Sequence, residues 1–250
     1  MIYHFPTMVR VVRCSLLYLL TGLLRPQQGS VLYKGEDVQK RLPSTLSDMF
    51  IVPEEFELPK MSIKRYAALY SGFYPRFSYE QLQNNLAMFG LDDSVVFNNL
   101  SMGQQKKAFI CYALATNTSL LVMDEPTNGL DIPSKSEFRR LIANNMTDDK
   151  TIIISTHQVR DIDSLLDHIV IIDRSSVLLN ASSDEICRRL LFTEQPISEP
   201  TDGALFVQPS VAGNSVILPN AYGEESRLNL ELLFNGVLAE REKFLALFNA

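Results

Sequence analysis

Two adjacent carboxylates stand directly after a short apolar run. Asp124-Glu125 follows Leu120-Leu121-Val122-Met123, so if that run is a strand the acids lie at its end, one suited to Mg²⁺ and the other to orienting a water. That spacing suits phosphate hydrolysis, although an acid pair after a strand also serves as a helix cap or a solvated turn. Upstream, Leu100-Ser101-Met102-Gly103-Gln104 immediately precedes the helical run Gln105 to Thr116. Ser101 with Gly103 behind it makes a helix N-terminus whose N–H groups can receive phosphate oxygens, or simply an ordinary N-cap. His157 follows a second apolar run, Thr151 to Ser155, and from there an imidazole can donate a hydrogen bond to a terminal phosphate. A lone histidine after a strand is more often structural; the acid pair on the neighbouring strand gives His157 its weight. His4 and His168 have no comparable placement.

The elements that must position these groups follow from the pattern of apolar residues. Leu120 to Met123, Ile152 to Ile154 and Ile169 to Ile172 are short continuous runs of the kind found in strands covered on both faces. Between the first two, Pro133 to Met146 places Phe138, Leu141 and Ile142 on one helical face, with Pro133 suited to a first helical position. A right-handed crossover then makes the two strands parallel, with carboxyl ends on the edge where α/β folds bind ligands. Ser15 to Leu24 reads as a short buried helix ended by Pro26, and residues 29–33 as a strand. Residues 58 to 116 are helix-rich, broken at Pro75 and Gly90, and read as an inserted helical layer. Beyond Asn180 the signal weakens to brief strand pieces at Leu205 to Val207 and Val216 to Leu218, followed by an amphipathic helix from Asn229 to Phe248.

Composition narrows the classes. The 250 residues are 46% hydrophobic and 21% charged, an ordinary globular balance with room for one good core and a smaller appendage. Twenty-three Lys and Arg against 29 Asp and Glu give a net charge of −6, which disfavours nonspecific binding of nucleic acid. Cys14, Cys111 and Cys187 are widely spaced, suggesting neither a disulfide framework nor a zinc site and fitting a reducing cytoplasm. The longest apolar stretch, Cys14 to Leu24, is interrupted by Thr21 and Gly22 and falls well short of the roughly 20 residues a spanning helix needs.

Taken together, Leu100 to Gln104, Leu120 to Pro126, Asn128-Gly129-Leu130-Asp131 and Ser155-Thr156-His157 resemble, in order and spacing, the ATP-binding subunit of an ABC transporter. The resemblance covers roughly residues 2–180. It implies an α/β fold, a P-loop NTPase of ABC type with a parallel-sheet core and an inserted helical subdomain at about residues 56–116. It further implies a nucleotide-binding domain over 1–184, with 185–250 left as a small C-terminal α+β appendage. By the same resemblance Ser101, Gly103 and Gln104 match the signature motif that contacts ATP held by the partner subunit. Asp124 matches the carboxylate that assists Mg²⁺, Glu125 the catalytic carboxylate, Asp131 the residue that communicates across the dimer, and His157 the switch histidine. Met49 to Pro53 falls where the family places its Q-loop, with Glu54 replacing the usual glutamine; a carboxylate there can still reach Mg²⁺ or its waters. The implied cofactors are ATP and Mg²⁺. The implied partners are a transmembrane permease subunit and a second ATP-binding subunit, as homodimer or heterodimer, with no nucleic acid; the implied location is cytoplasmic, on the inner face of the membrane through the permease.

The family also requires a glycine-rich phosphate loop, and here this sequence departs from it. The expected position, Thr7 to Cys14, contains no glycine, and Val9, Val11 and Val12 disfavour the positive φ values such a loop uses. Ser15 supplies one hydroxyl in place of a nest of amides. The family's first strands, with an aromatic that stacks on adenine, find no counterpart ahead of Ile2. Two readings stay open: an active ATPase subunit, or a degenerate one that binds no ATP of its own and donates its signature motif to an intact partner. A soluble ATPase of translation or DNA maintenance is disfavoured by the acidic charge and the lack of a second cassette.

Overall fold

The computed structural model describes residues 2–4, 10–174, 176–211 and 213–248. The chain divides into two compact units, one formed by Arg10–Thr156 and one by Ile2–Val9 with His157–Ala250. Strand β1 (Ile2–His4) belongs to the second.

The first unit opens with α1 (Arg10–Leu20). Residues 10–14 of the expected phosphate loop are thus helical, and residues 7–9 lie outside the described residues. A hairpin follows, β2 (Leu32–Tyr33) paired with β3 (Glu36–Asp37). Its two turn residues, Lys34 and Gly35, sit at φ 49° and 84°, the paired left-handed conformation that matches strand twist. After α2 (Pro43–Leu46) comes β4 (Met49–Val52). The inserted layer is α3 (Ile63–Tyr70), α4 (Tyr79–Met88) and α5 (Met102–Ala115), each started by a serine, Ser62, Ser78 and Ser101, whose hydroxyl accepts an N–H of the first turn. An aromatic cluster fills the space around Tyr112, which meets Phe50, Tyr66 and Phe77 at centroid separations of 4.9–5.9 Å.

The core is three parallel strands in the order β4, β5 (Leu120–Asp124) and β6 (Thr151–Ser155), with α6 (Ile132–Asn144) crossing from β5 to β6. This is the expected strand-helix-strand unit. Every residue of β5 is buried, as a strand covered on both faces must be. Val52 pairs with Met123 and Met123 with Ile154, so the carboxyl ends are level and Pro53-Glu54, Asp124-Glu125 and Ser155-Thr156 leave the sheet at one edge.

In the second unit β1 runs parallel to β7 (His168–Asp173), which pairs antiparallel with β8 (Ser176–Ser182). Helix α7 (Ser183–Arg189) leads into β9 (Leu190–Gln195), β10 (Phe206–Ser210) and β11 (Gly213–Pro219), an antiparallel sheet ordered β10, β11, β9. Gly213 has φ 151°, and a Cβ there would lie 2.3 Å from the Gln195 carbonyl oxygen; only glycine lets the two strands meet. The single C-terminal helix expected from Asn229 to Phe248 is two helices, α8 (Leu230–Ala239) and α9 (Arg241–Phe248), divided at Glu240 with ψ 47°. Among the described residues no helix is long and apolar enough to cross a membrane.

Candidate functional site

The acid pair is built by the ends of β5 and β6. Asp124 and Glu125 are 2% and 4% exposed, so each carboxylate needs polar partners. The hydroxyls that follow β6 supply them: Ser155 Oγ donates to Asp124 Oδ1 at 2.9 Å and Thr156 Oγ1 to Glu125 Oε2 at 2.9 Å. Glu125 holds φ 46°, a left-handed conformation that costs on the order of 1–3 kcal/mol for a residue with a side chain. Its backbone is held on both sides. The N–H donates to the Ser155 carbonyl at 2.8 Å, and the carbonyl accepts from Asn128 N at 3.2 Å.

The serine-led helix end approaches the same turn. Ser101 Oγ accepts from Gln104 N at 3.3 Å while Gln104 Oε1 accepts from Ser101 N at 3.0 Å, a reciprocal capping box. Ser101 and Gln104 are exposed and Gly103 is half-buried, its Cβ position 3.4 Å from the Gly129 carbonyl. One turn further along α5, Lys106 is buried, with Nζ donating to the carbonyls of Glu125 at 2.6 Å and Asn128 at 3.2 Å. Burial pushes its pKa down, opposed by the charges of Glu54, Glu125 and Asp124.

The remaining residues singled out by the sequence are placed as follows. Asn128 Nδ2 donates to Glu54 Oε1 at 3.1 Å, and a cavity of about 670 Å³ opens among Glu54, Phe56, Gly103, Lys106 and Asn128. Asp131 caps α6, accepting from Ser134 N at 3.1 Å; that hydrogen bonding to Ser134 lowers its pKa. Ser15 lies half-buried in α1. His157 is exposed and is the first residue of the second unit after β6. Among the described residues no group of three or more His, Cys, Asp or Glu could hold a metal. The donors near the acid turn, hard carboxylate and hydroxyl oxygens, fit Mg²⁺, which binds through one or two carboxylates together with phosphates and waters rather than in an all-protein cage.

Known proteins are similar to this chain. The ABC transporter family model matches residues 13–128, from α1 through β4, α5 and β5 to the acid turn. The energy-coupling factor transporter ATP-binding protein EcfA2 of Mycoplasmoides gallisepticum is 29% identical over 172 residues, 66% of this chain and 52% of that protein. The EcfA2 of Thermotoga maritima is 25% identical over 184 residues, 71% of this chain and 69% of that protein. The chain thus spans about half to two thirds of the length of these relatives. A solved ATP-binding subunit of an ABC transporter superposes with TM-score 0.66 at 20% identity, covering 75% of this chain and 80% of that one.

Over residues 13–128 the chain is similar to the ABC transporter family.

A bacterial Atm1-family ABC exporter with ATP bound shares the fold, with TM-score 0.62 at 19% identity over 75% of this chain and 35% of that one. The motif pattern pointed to the acid pair and the serine cap but gave no role to Lys106, nor separate roles to Ser155 and Thr156. For Lys106 a signal is present: it stands two residues ahead of a helix segment, Ala108 to Ala115, that is buried throughout, and a lysine beside such a surface requires oxygen partners.

Proposed function

We propose that the chain is the ATP-binding and ATP-hydrolysing subunit of an ABC transporter, acting in a pair of such subunits to power a membrane permease. The observation that carries this reading is the turn at Glu125, where two buried carboxylates are oriented by Ser155 and Thr156 while the signature-like end of α5 is tied to the same turn by Lys106. In this reading Glu125 accepts a proton from the water that attacks the terminal phosphate, and Thr156 holds the carboxylate for that task. Asp124 and Glu54 are the groups that would hold Mg²⁺, which when bound neutralises charge developing on the phosphates. His157 donates to the terminal phosphate. Ser101, Gly103 and Gln104 present the start of α5 to ATP held by the opposite subunit, Asp131 lies toward that subunit, and Ser15 offers a hydroxyl at the phosphates.

The names of the EcfA2 relatives, transporter ATP-binding proteins, support a membrane transporter as the partner, and in this reading the chain sits on the cytoplasmic face of the membrane through the permease. Residues 1–184 form the nucleotide-binding domain in this reading and 185–250 the appendage. The test is ATP turnover by the chain purified with its permease and companion subunit. Mg²⁺-dependent hydrolysis that disappears in Glu125→Gln while nucleotide still binds is the expected result. A complex whose turnover is unaffected by Glu125→Gln would refute the assignment.

A further inference from the structure

Lys106 is a buried charged group that takes no part in the chemistry proposed above. Lys106 sits in α5, 7% exposed, and two of its three N–H donors go to main-chain carbonyls of a different segment, Glu125 at 2.6 Å and Asn128 at 3.2 Å. A buried ammonium is costly to desolvate, and here it bridges the serine-capped helix and the turn that follows β5.

The two carbonyls are not equivalent to any others on the turn. Glu125 is the residue held at φ 46°, and its own N–H is committed to Ser155 O. Lys106 therefore fixes the peptide plane on the far side of the same Cα. With the N–H tied to β6, the carbonyl tied to α5 and Oε2 tied to Thr156, the Glu125 carboxylate is restrained from three directions. The second carbonyl belongs to Asn128, whose side chain reaches Glu54, so the same ammonium also steadies the link to the segment leaving β4.

We propose that Lys106 is a positioning residue for Glu125, a strap from the signature-like helix that sets the aim of the catalytic carboxylate. This rests on the ATPase reading above. Lys106 touches neither the water nor the phosphate in this scheme, so its loss slows the attack without weakening nucleotide binding. A misplacement of the order of an ångström costs roughly 10- to 100-fold in rate.

The experiment compares wild type with Lys106→Met, which keeps the apolar stem and removes the donors, in the complex with permease and companion subunit. The expected result is kcat lower by roughly tenfold or more with KM for ATP within about twofold. Amide hydrogen exchange at residues 125–131 is also expected to be faster in the variant. A purely packing role lowers the amount of folded protein but does not separate kcat from KM. Should Lys106→Met fail to fold, Lys106→Gln, whose shorter uncharged amide does not span both carbonyls, is read in the same way. An unchanged kcat in a folded variant overturns the proposal, whatever the exchange shows. If the wild-type complex hydrolyses no ATP, the ATPase reading is what fails; faster exchange at 125–131 then still supports the strap, and unchanged exchange overturns it.

Discussion

Thr156 and Glu125 are joined across adjacent parallel strands, the threonine hydroxyl donating to Glu125 Oε2 at 2.9 Å with both residues buried. The carboxylate of a proposed general base is thereby held by a group that carries no charge and contributes no proton at neutral pH. Thr156→Val keeps the shape and removes the donor, leaving a buried carboxylate oxygen with one hydrogen bond fewer, a loss of about 1–3 kcal/mol. Turnover by the transporter complex is expected to fall by roughly tenfold or more with ATP affinity little changed. Steady-state kinetics on the purified complex check this, and wild-type turnover in a folded Thr156→Val complex would remove Thr156 from the scheme.

Asp48 predicts a pH dependence of folding. Burial alone raises its pKa, but hydrogen bonds from Lys34, Tyr33 and Ser119 together outweigh that and hold it at about 2. A folded value below the unfolded one, near 4, means the carboxylate stabilises the fold above pH 4 and loses that contribution as pH falls from about 4 to about 2. Lys34 is largely exposed, so screening limits the contribution to about 1 kcal/mol. Thermal unfolding of Asp48→Asn is expected to begin about 2–4 °C lower than wild type at pH 7. The gap should narrow below pH 4 and close near pH 2, as followed by circular dichroism.

Tyr112 carries the opposite lesson. Its hydroxyl is buried and finds no hydrogen-bond partner among the described residues, while the ring packs against Phe50, Tyr66 and Phe77; burial pushes the phenol pKa far up. Tyr112→Phe removes an unsatisfied group and keeps the aromatic contacts. Urea denaturation is expected to show stability unchanged or raised by up to about 1 kcal/mol.

Gly213 gives a test confined to the second unit. Any Cβ there meets the Gln195 carbonyl oxygen at 2.3 Å, at a φ of 151° that side chains rarely adopt. Gly213→Ala is expected to cost about 2–3 kcal/mol or more, measured as a lower unfolding midpoint together with loss of amide protection along β9, β10 and β11.

The core strands and the caps were legible because each follows from local pattern. The run Leu120 to Met123, read as a strand covered on both sides, is buried throughout; Ser101, read as an N-cap, does cap α5, which starts at Met102 rather than Gln105 and adds the reciprocal bond from Gln104. What escaped notice depends on contacts across long separations. Leu190 to Gln195 has no strict alternation, and it becomes β9 because β11 pairs with it. The helix expected from Ser15 begins five residues earlier, at Arg10, since Val11 and Val12 are read as loop only when a phosphate loop is sought there. Lys106 was invisible as a strap because its partners are main-chain carbonyls 19 and 22 residues away, which no side-chain pattern records.

The capping box at α5 has a consequence for recognition. Ser101 and Gln104 already occupy each other's amide protons, so an oxyanion arriving at this helix end finds those two donors engaged and must displace a side chain to gain either. That exchange offsets about 1 kcal/mol of whatever the incoming group contributes, so the helix end discriminates against weakly charged visitors and yields only to a strong acceptor delivered in the right orientation.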